Sequence, residues 1–204
     1  MKNVMLVGGG VGNAVLFSIG RAYLEKGSNV LYFAGYRKLN DIFKRELIEN
    51  ASSIVVWTCE EGLIETNRAQ DKSFCGNIID AMISYQAEVS DISLNTIDRI
   101  IVIGSDKMMK AVNKARKTIL KPYLKADHVA ISSVNSPMQC MMKEICARCV
   151  QRHVKEGEES FVYSCSNQDQ NMEFIDFDFL SGRLKQNSLQ EKLTAKWLEM
   201  CLHS

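Results

Sequence analysis

The stretch Asn3-Val4-Met5-Leu6-Val7-Gly8-Gly9-Gly10-Val11-Gly12-Asn13-Ala14 decides how this chain is built. A short apolar run, Val4 to Val7, stops at glycines, and a helical pattern begins directly after them. That order predicts a strand, a tight turn, and a helix whose first backbone N–H groups point outward. A Cβ in such a turn would block both the bend and the approach of a phosphate to the main chain. The helix start offers unpaired donors and a partial positive charge, worth roughly 0.3 to 2 kcal/mol to an anion. The glycines fall as G-x-G-x-G (Gly8, Gly10, Gly12), short of the full dinucleotide fingerprint. The reading is a nucleotide diphosphate site, set against a plain strand-to-helix turn without ligand.

The rest of the chain repeats the strand–helix rhythm. Ala14, Val15, Ser18, Ile19, Ala22 and Tyr23 recur at helical spacing, and Gly27 ends the segment. Further apolar runs are Asn29–Phe33, Ser53–Trp57, Arg99–Ile103 and His128–Ile131. Between them Leu39, Ile42, Phe43 and Leu47 predict a second helix, with a polar connection after Trp57. Ile78, Ile79, Met82 and Ile83 predict a third helix, and Met108, Val112, Ala115 and Ile119 a fourth that Pro122 closes. Continuous apolar strands alternating with helices imply an α/β fold, here a five-stranded parallel sheet with helices on both faces. A small Cys-rich segment and a C-terminal helix follow, dividing the chain into residues 1–134, 135–170 and 171–204.

In the last part, a strand near Val150 is expected to pair with Phe161-Val162-Tyr163 across Lys155–Glu159. Phe174 to Phe179 alternates as a strand does, which puts Asp176 and Asp178 on a solvated outer face rather than around a metal. Ser188 and Glu191 form a capping box for a last helix, with Leu189, Leu193, Trp197 and Met200 as its buried stripe.

Composition bounds the function. The 204 residues are 46% apolar with a net charge of +1, so nothing points to nucleic acid or an anionic membrane as partner. No run approaches the roughly 18 apolar residues of a spanning helix, and the first apolar run is too short for a secretory signal. Seven cysteines, an odd number, read as thiols or ligands in a cytoplasmic protein. No Ser/His/Asp or paired-carboxylate arrangement supports hydrolysis.

Cys140, Cys146, Cys149 and Cys165 have 5, 2 and 15 residues between successive members. Four thiolates converging on one centre favour an iron–sulfur cluster or zinc over harder metals; plain buried thiols are the remaining alternative. His153 could substitute for a cysteine at zinc, while Cys59, Cys75 and Cys201 read as packing residues. Lys107, Lys110, Lys114, Lys117, Lys121 and Lys125, with Arg116, make either a solvated helix face or a dock for an acidic partner.

The usual carboxylate that holds ribose hydroxyls at the end of the second strand is absent, and Arg37 follows instead. Arg37 is either a surface residue or a partner for a ribose phosphate or adenine. Together, Leu6–Gly12, Gly35-Tyr36-Arg37 and Ile103-Gly104-Ser105-Asp106-Lys107-Met108 resemble the pyridine-nucleotide domain of ferredoxin–NADP reductase-like proteins. Ser136-Pro137-Met138-Gln139-Cys140 and the later cysteines narrow the resemblance to one subgroup. It contains the dihydroorotate dehydrogenase electron-transfer subunit and the small subunit of electron-bifurcating transhydrogenase.

The resemblance covers residues 3 to about 170. It implies that Gly8, Gly9, Gly10, Val11, Gly12 and Asn13 wrap the diphosphate of NAD(P)H, and that Gly104, Ser105, Asp106 and Met108 lie beside the nicotinamide. It also implies a 2Fe–2S cluster on Cys140, Cys146, Cys149 and Cys165, and an FAD held by another domain or subunit, since the family's flavin barrel does not precede this sheet. The chain departs from the family in two places. Ile103-Gly104-Ser105 stands where relatives commonly have Cys-Gly-Pro, and Met141–Ile145 is bulkier than their loop between the first two ligands. The expected role is the NAD(P)H-binding and iron–sulfur portion of a flavin-dependent oxidoreductase, passing electrons to an acceptor protein. The alternative is a non-catalytic nucleotide-binding scaffold with structural zinc.

Overall fold

A computed structural model describes residues 2–88, 92–134, 144–187 and 189–202, apart from the side chains of 187, 190 and 191. The chain divides into two compact units, Met1–Ser133 and Val134–Ser204.

In chain order the first unit contains β1 (Asn3–Gly9), α1 (Asn13–Glu25), β2 (Asn29–Tyr36), α2 (Arg45–Glu49), β3 (Ile54–Cys59), β4 (Lys72–Cys75), α3 (Ile78–Ala87), β5 (Arg99–Ile103), α4 (Asp106–Lys117) and β6 (Val129–Ser133). These six strands are parallel and ordered β4-β3-β2-β1-β5-β6. β1 is central, and the chain builds outward from it first in one direction and then in the other. Each central strand is buried along its length because helices cover both faces. Alternation sends Val4, Leu6, Tyr32 and Trp57 to the face that meets Leu16 of α1 and Ile48 of α2. Phe33 points to the opposite face, where its ring meets Tyr85 of α3 edge-on at 5.6 Å.

β4 is a strand beyond the expected five. It is short and half-exposed, so it lacks the apolar run of the others. The second predicted helix is also shorter: Leu39–Asp41 is a 3-10 turn and only Arg45–Glu49 is α-helical. The polar connection before β4 is held by an ion pair as well as by Ile64, which packs into the core. Asp71 is buried; it accepts from Val55 N (2.9 Å) and from both Nε and Nη2 of Arg68 (2.8 and 2.7 Å). Arg68 also donates to the carbonyls of Glu49 and Ser52, tying the connection to the end of α2.

The second unit contains the hairpin β7 (Val150–Lys155) and β8 (Glu158–Tyr163), the short strand β9 (Asp169–Asn171), α5 (Phe177–Asn187) and α6 (Leu189–Leu202). The hairpin is antiparallel with Val150 opposite Tyr163, as its alternation predicts. Phe174–Phe179 is not a strand. Only Ile175 makes a β-bridge, to His153, and α5 begins at Phe177. Asp176 starts that helix: its Oδ1 accepts from the amides of Asp178 (3.0 Å) and Phe179 (2.9 Å), while Oδ2 takes Nε and Nη2 of Arg152 (2.9 and 2.6 Å). A capping carboxylate therefore overrides the alternating pattern. The stripe on α6 is not buried, since Leu189, Leu193, Trp197 and Met200 are all exposed. Of its predicted capping box, Ser188 and the side chain of Glu191 lie outside the described residues. Among the described residues no helix is long and apolar enough to cross a membrane.

Two predictions concern these polar anchors. Asp71→Ala leaves the Arg68 guanidinium and the Val55 amide without their partner, and should cost about 3 kcal/mol in urea denaturation. For Asp176, partial burial raises the carboxyl pKa, but the Phe179 amide, Arg152 and the Asp178 amide outweigh it and hold the group below the usual carboxylate range. A carboxyl depressed in the folded state stabilises above its unfolded pKa of about 3.9 and loses that contribution as pH falls through the folded value. Asp176→Ala should cost about 1 kcal/mol at pH 7. It should also flatten the loss of stability on acidification that the unsubstituted protein shows.

Candidate functional site: a cleft at the switch point of the sheet

Residues Gly10–Gly12 form a 3-10 turn between β1 and α1. Gly10 has φ +52°, a left-handed conformation that a side chain disfavours. Gly12 lies so close to β5 that a Cβ there would collide with the Ile103 carbonyl oxygen. The turn is thus pressed against the neighbouring strand end, and no side chain caps the start of α1. The first amide of α1, that of Asn13, donates to the Gly10 and Val11 carbonyls, so donors open to an anion belong to the turn before it.

Asn13 braces this turn from beneath. It is fully buried, and its amide nitrogen donates to the carbonyls of Gly10 (3.1 Å) and Gly35 (3.5 Å). The Tyr32 hydroxyl donates to Asn13 Oδ1 (3.2 Å). A phenol is a proton donor at neutral pH, and burial pushes the Tyr32 pKa further up. The side chain of Asn13 therefore faces the core, and that of Val11, 82% exposed, faces solvent.

Above the turn lies a cleft of about 790 Å³. Its floor is the carboxyl end of the sheet, where strand order reverses between β1 and β5, the position at which open α/β sheets take their ligands. Gly9, Gly10, Arg37, Ser105 and Met108 are among the residues that line it. Gly8 lies at the end of β1, Gly104 lies beneath the Met108 side chain, and Asp106 opens α4. Sequence reasoning missed one wall, Gly76 to Asp80, which brings in the start of α3. Asn77 caps that helix, accepting from the amides of Ile79 (2.9 Å) and Asp80 (3.2 Å), and Thr58 Oγ1 donates to the Gly76 carbonyl (2.8 Å). The signal was present as an Asn followed by an apolar helical pattern, but its place on the cleft follows only once β4 exists. Ser105 caps α4 by accepting from Met108 N (3.2 Å). Charge in the cleft is mixed: Arg37 and Lys107 line it together with Asp41, Glu60 and Asp80.

The lysines of α4 are largely exposed, but Arg116 is buried beside His128 Nε2 (3.2 Å) and so is no part of a docking face. Lys125 pairs with Asp98 at 2.6 Å.

In the second unit the hairpin register carries Cys149 and Cys165 to the same open end. Ser164 N donates to the Cys149 carbonyl (3.2 Å) just before Cys165. Cys146 precedes Cys149 by a turn in which Ala147 has φ +52°. The thiols differ in exposure: Cys149 is buried, Cys165 intermediate and Cys146 exposed. Among the described residues no three His, Cys, Asp or Glu side chains are arranged to hold a metal ion, and Cys140 lies outside those residues. Ser136–Gln139, which narrowed the resemblance, also lie outside them. His153 is engaged by Gln170 Oε1 at 2.6 Å. Cys59 is a buried packing residue as expected, whereas Cys75 and Cys201 are exposed and pack into no core.

The sheet order and glycine turn define a doubly wound α/β fold, and a solved structure shows it to be ferredoxin–NADP reductase-like. The chain matches an NADH-dependent reduced ferredoxin–NADP oxidoreductase, studied for flavin-based electron bifurcation, with a TM-score of 0.72 and 25% identity. The match covers 97% of this chain and 62% of that one, so this chain spans less than two thirds of its neighbour. Full-length CYP116B46 from Tepidiphilus thermophilus matches with a TM-score of 0.41 and 13% identity over 79% of this chain and 18% of its own. Among curated proteins, the uncharacterized protein RP006 of Rickettsia prowazekii (strain Madrid E) is 53% identical over 64 residues, 31% of this chain and 9% of that protein. No protein-family model matches the chain.

If Asn13 is the brace, Asn13→Ala strands the carbonyls of Gly10 and Gly35 and should cost about 2 kcal/mol by chemical denaturation. Val11→Ala, at the exposed position beside it, should stay within about 0.5 kcal/mol.

Proposed function

We propose that the chain is the NAD(P)H-binding and 2Fe–2S electron-transfer portion of a flavin-dependent oxidoreductase, working in the cytoplasm. The observation that carries this reading is the cleft at the β1/β5 reversal, with a glycine turn that no side chain caps on one side and the capped start of α4 on the other. The neighbour of known structure supports it, being an NADH-dependent enzyme of flavin-based electron bifurcation.

In this reading the amides of the Gly9–Gly12 turn and the start of α1 hold the diphosphate. Arg37 lies toward the adenosine end, and Ser105 to Met108 border the nicotinamide. Asn13 keeps the turn's amides aimed outward by consuming the carbonyls behind them. When bound, a nicotinamide and a flavin exchange a hydride, and an iron–sulfur centre passes electrons singly. The flavin belongs to another domain or subunit, and an electron-accepting protein completes the chain. Cys140, Cys146, Cys149 and Cys165 would hold the cluster.

Calorimetric titration of anaerobically purified protein with NADH and NADPH should give a saturable heat with at least one of them. Absence of heat with both would overturn the nucleotide reading. The same sample should contain iron and show visible absorption that dithionite bleaches, and both should vanish in Cys149→Ser. Zinc without iron overturns the cluster, and iron retained in Cys149→Ser removes that residue from the ligand set.

A further inference from the structure

The side chain of Met108 lies over the seam where the glycine turn meets the end of β5. A Cβ placed on Gly9 would strike Met108 Sδ, and one placed on Gly104 would strike Met108 Cε. The same position on Gly104 is only 3.4 Å from the Gly9 amide nitrogen. The two glycine backbones therefore share one bare surface, and the Met108 thioether covers it. That surface sits at the switch point, between the turn and the start of α4, on the cleft's own lining.

The cover is anchored at its base. The amide of Met108 is fixed by the Ser105 hydroxyl in the first turn of α4. Movement is therefore left to the side-chain torsions, and a methionine has three of them and a soft, adaptable thioether. The opposite end of the cleft carries no such cover: Arg37, Asp41 and Glu60 are exposed.

We infer that Met108 is a gate on the nicotinamide half of the cleft, a determinant of which nucleotides bind. Its thioether occupies the ground between Gly9 and Gly104 that a planar ring must take, while the adenosine half stays open. The inference rests on the nucleotide reading of the cleft given above. A ligand held only by diphosphate and adenosine meets no cover, whereas a dinucleotide bearing nicotinamide must first displace the thioether. Its apparent affinity is then reduced by the fraction of time the gate is open.

The test compares NADH with ADP-ribose, which lacks the nicotinamide ring, by calorimetry on the unsubstituted protein, Met108→Ala and Met108→Leu. Removing the gate should raise the ratio of NADH to ADP-ribose affinity about tenfold in Met108→Ala, for a gate open about a tenth of the time. Met108→Leu, which keeps the bulk, should show no such rise. ADP-ribose binding by each variant reports that it is folded. An unchanged ratio in Met108→Ala, or an equal rise in Met108→Leu, overturns the gate while leaving the nucleotide site standing. If the unsubstituted protein binds neither ligand, the nucleotide reading fails and the gate with it.

Discussion

The close approach of Gly12 to the Ile103 carbonyl sets the geometry of everything above the sheet. Only a residue without a side chain lets the β1–α1 turn sit directly on the end of β5. That contact aligns the first amides of α1 with the reversal of strand order. Asn13 then locks the arrangement by spending its amide on two carbonyls behind the turn, one on its own loop and one on β2. A buried polar side chain of this kind is stabilising only when its bonds are made. The brace and the close approach therefore depend on each other.

Two helix starts, α3 and α4, converge on the same cleft as the glycine turn, but they differ from α1. Each has its own side-chain cap, Asn77 for α3 and Ser105 for α4. Those caps consume donors that an anion would otherwise take, whereas the α1 start has no side-chain cap and follows a turn built on glycine backbone. The basic residues of the cleft, Arg37 and Lys107, share its lining with the carboxylates of Asp41, Glu60 and Asp80. Affinity for a diphosphate must then come from oriented main-chain dipoles more than from net side-chain charge.

Much of the first unit was legible because its central strands are buried on both faces and carry no alternation. β5 was placed at its observed bounds, and β1, β2, β3 and β6 to within a few residues. β4 was not, since an edge strand reading Lys-Ser-Phe-Cys looks like the loop around it. With β4 went the Gly76–Asp80 wall of the cleft, whose position depends on that strand. The second unit misled for a different reason. Phe174–Phe179 has the period of a strand, yet Asp176 offers two amides a capping carboxylate and turns the segment helical. The apolar stripe of α6 was read correctly as a stripe and wrongly as buried, because periodicity marks a face but not what covers it. The role of Asn13 was hidden too: its partners lie on other elements, and spacing along the chain does not reveal a brace.

The central claim is that the amides of the glycine turn grip the linked phosphates of a dinucleotide. Backbone amide resonances of Gly9, Gly10 and Gly12, followed by NMR as ADP-ribose and then NADH are added, test it most directly. The account predicts saturable shifts that are largest at these glycines and at the first turn of α1. Saturable shifts concentrated elsewhere, with the glycine amides unmoved, would contradict it.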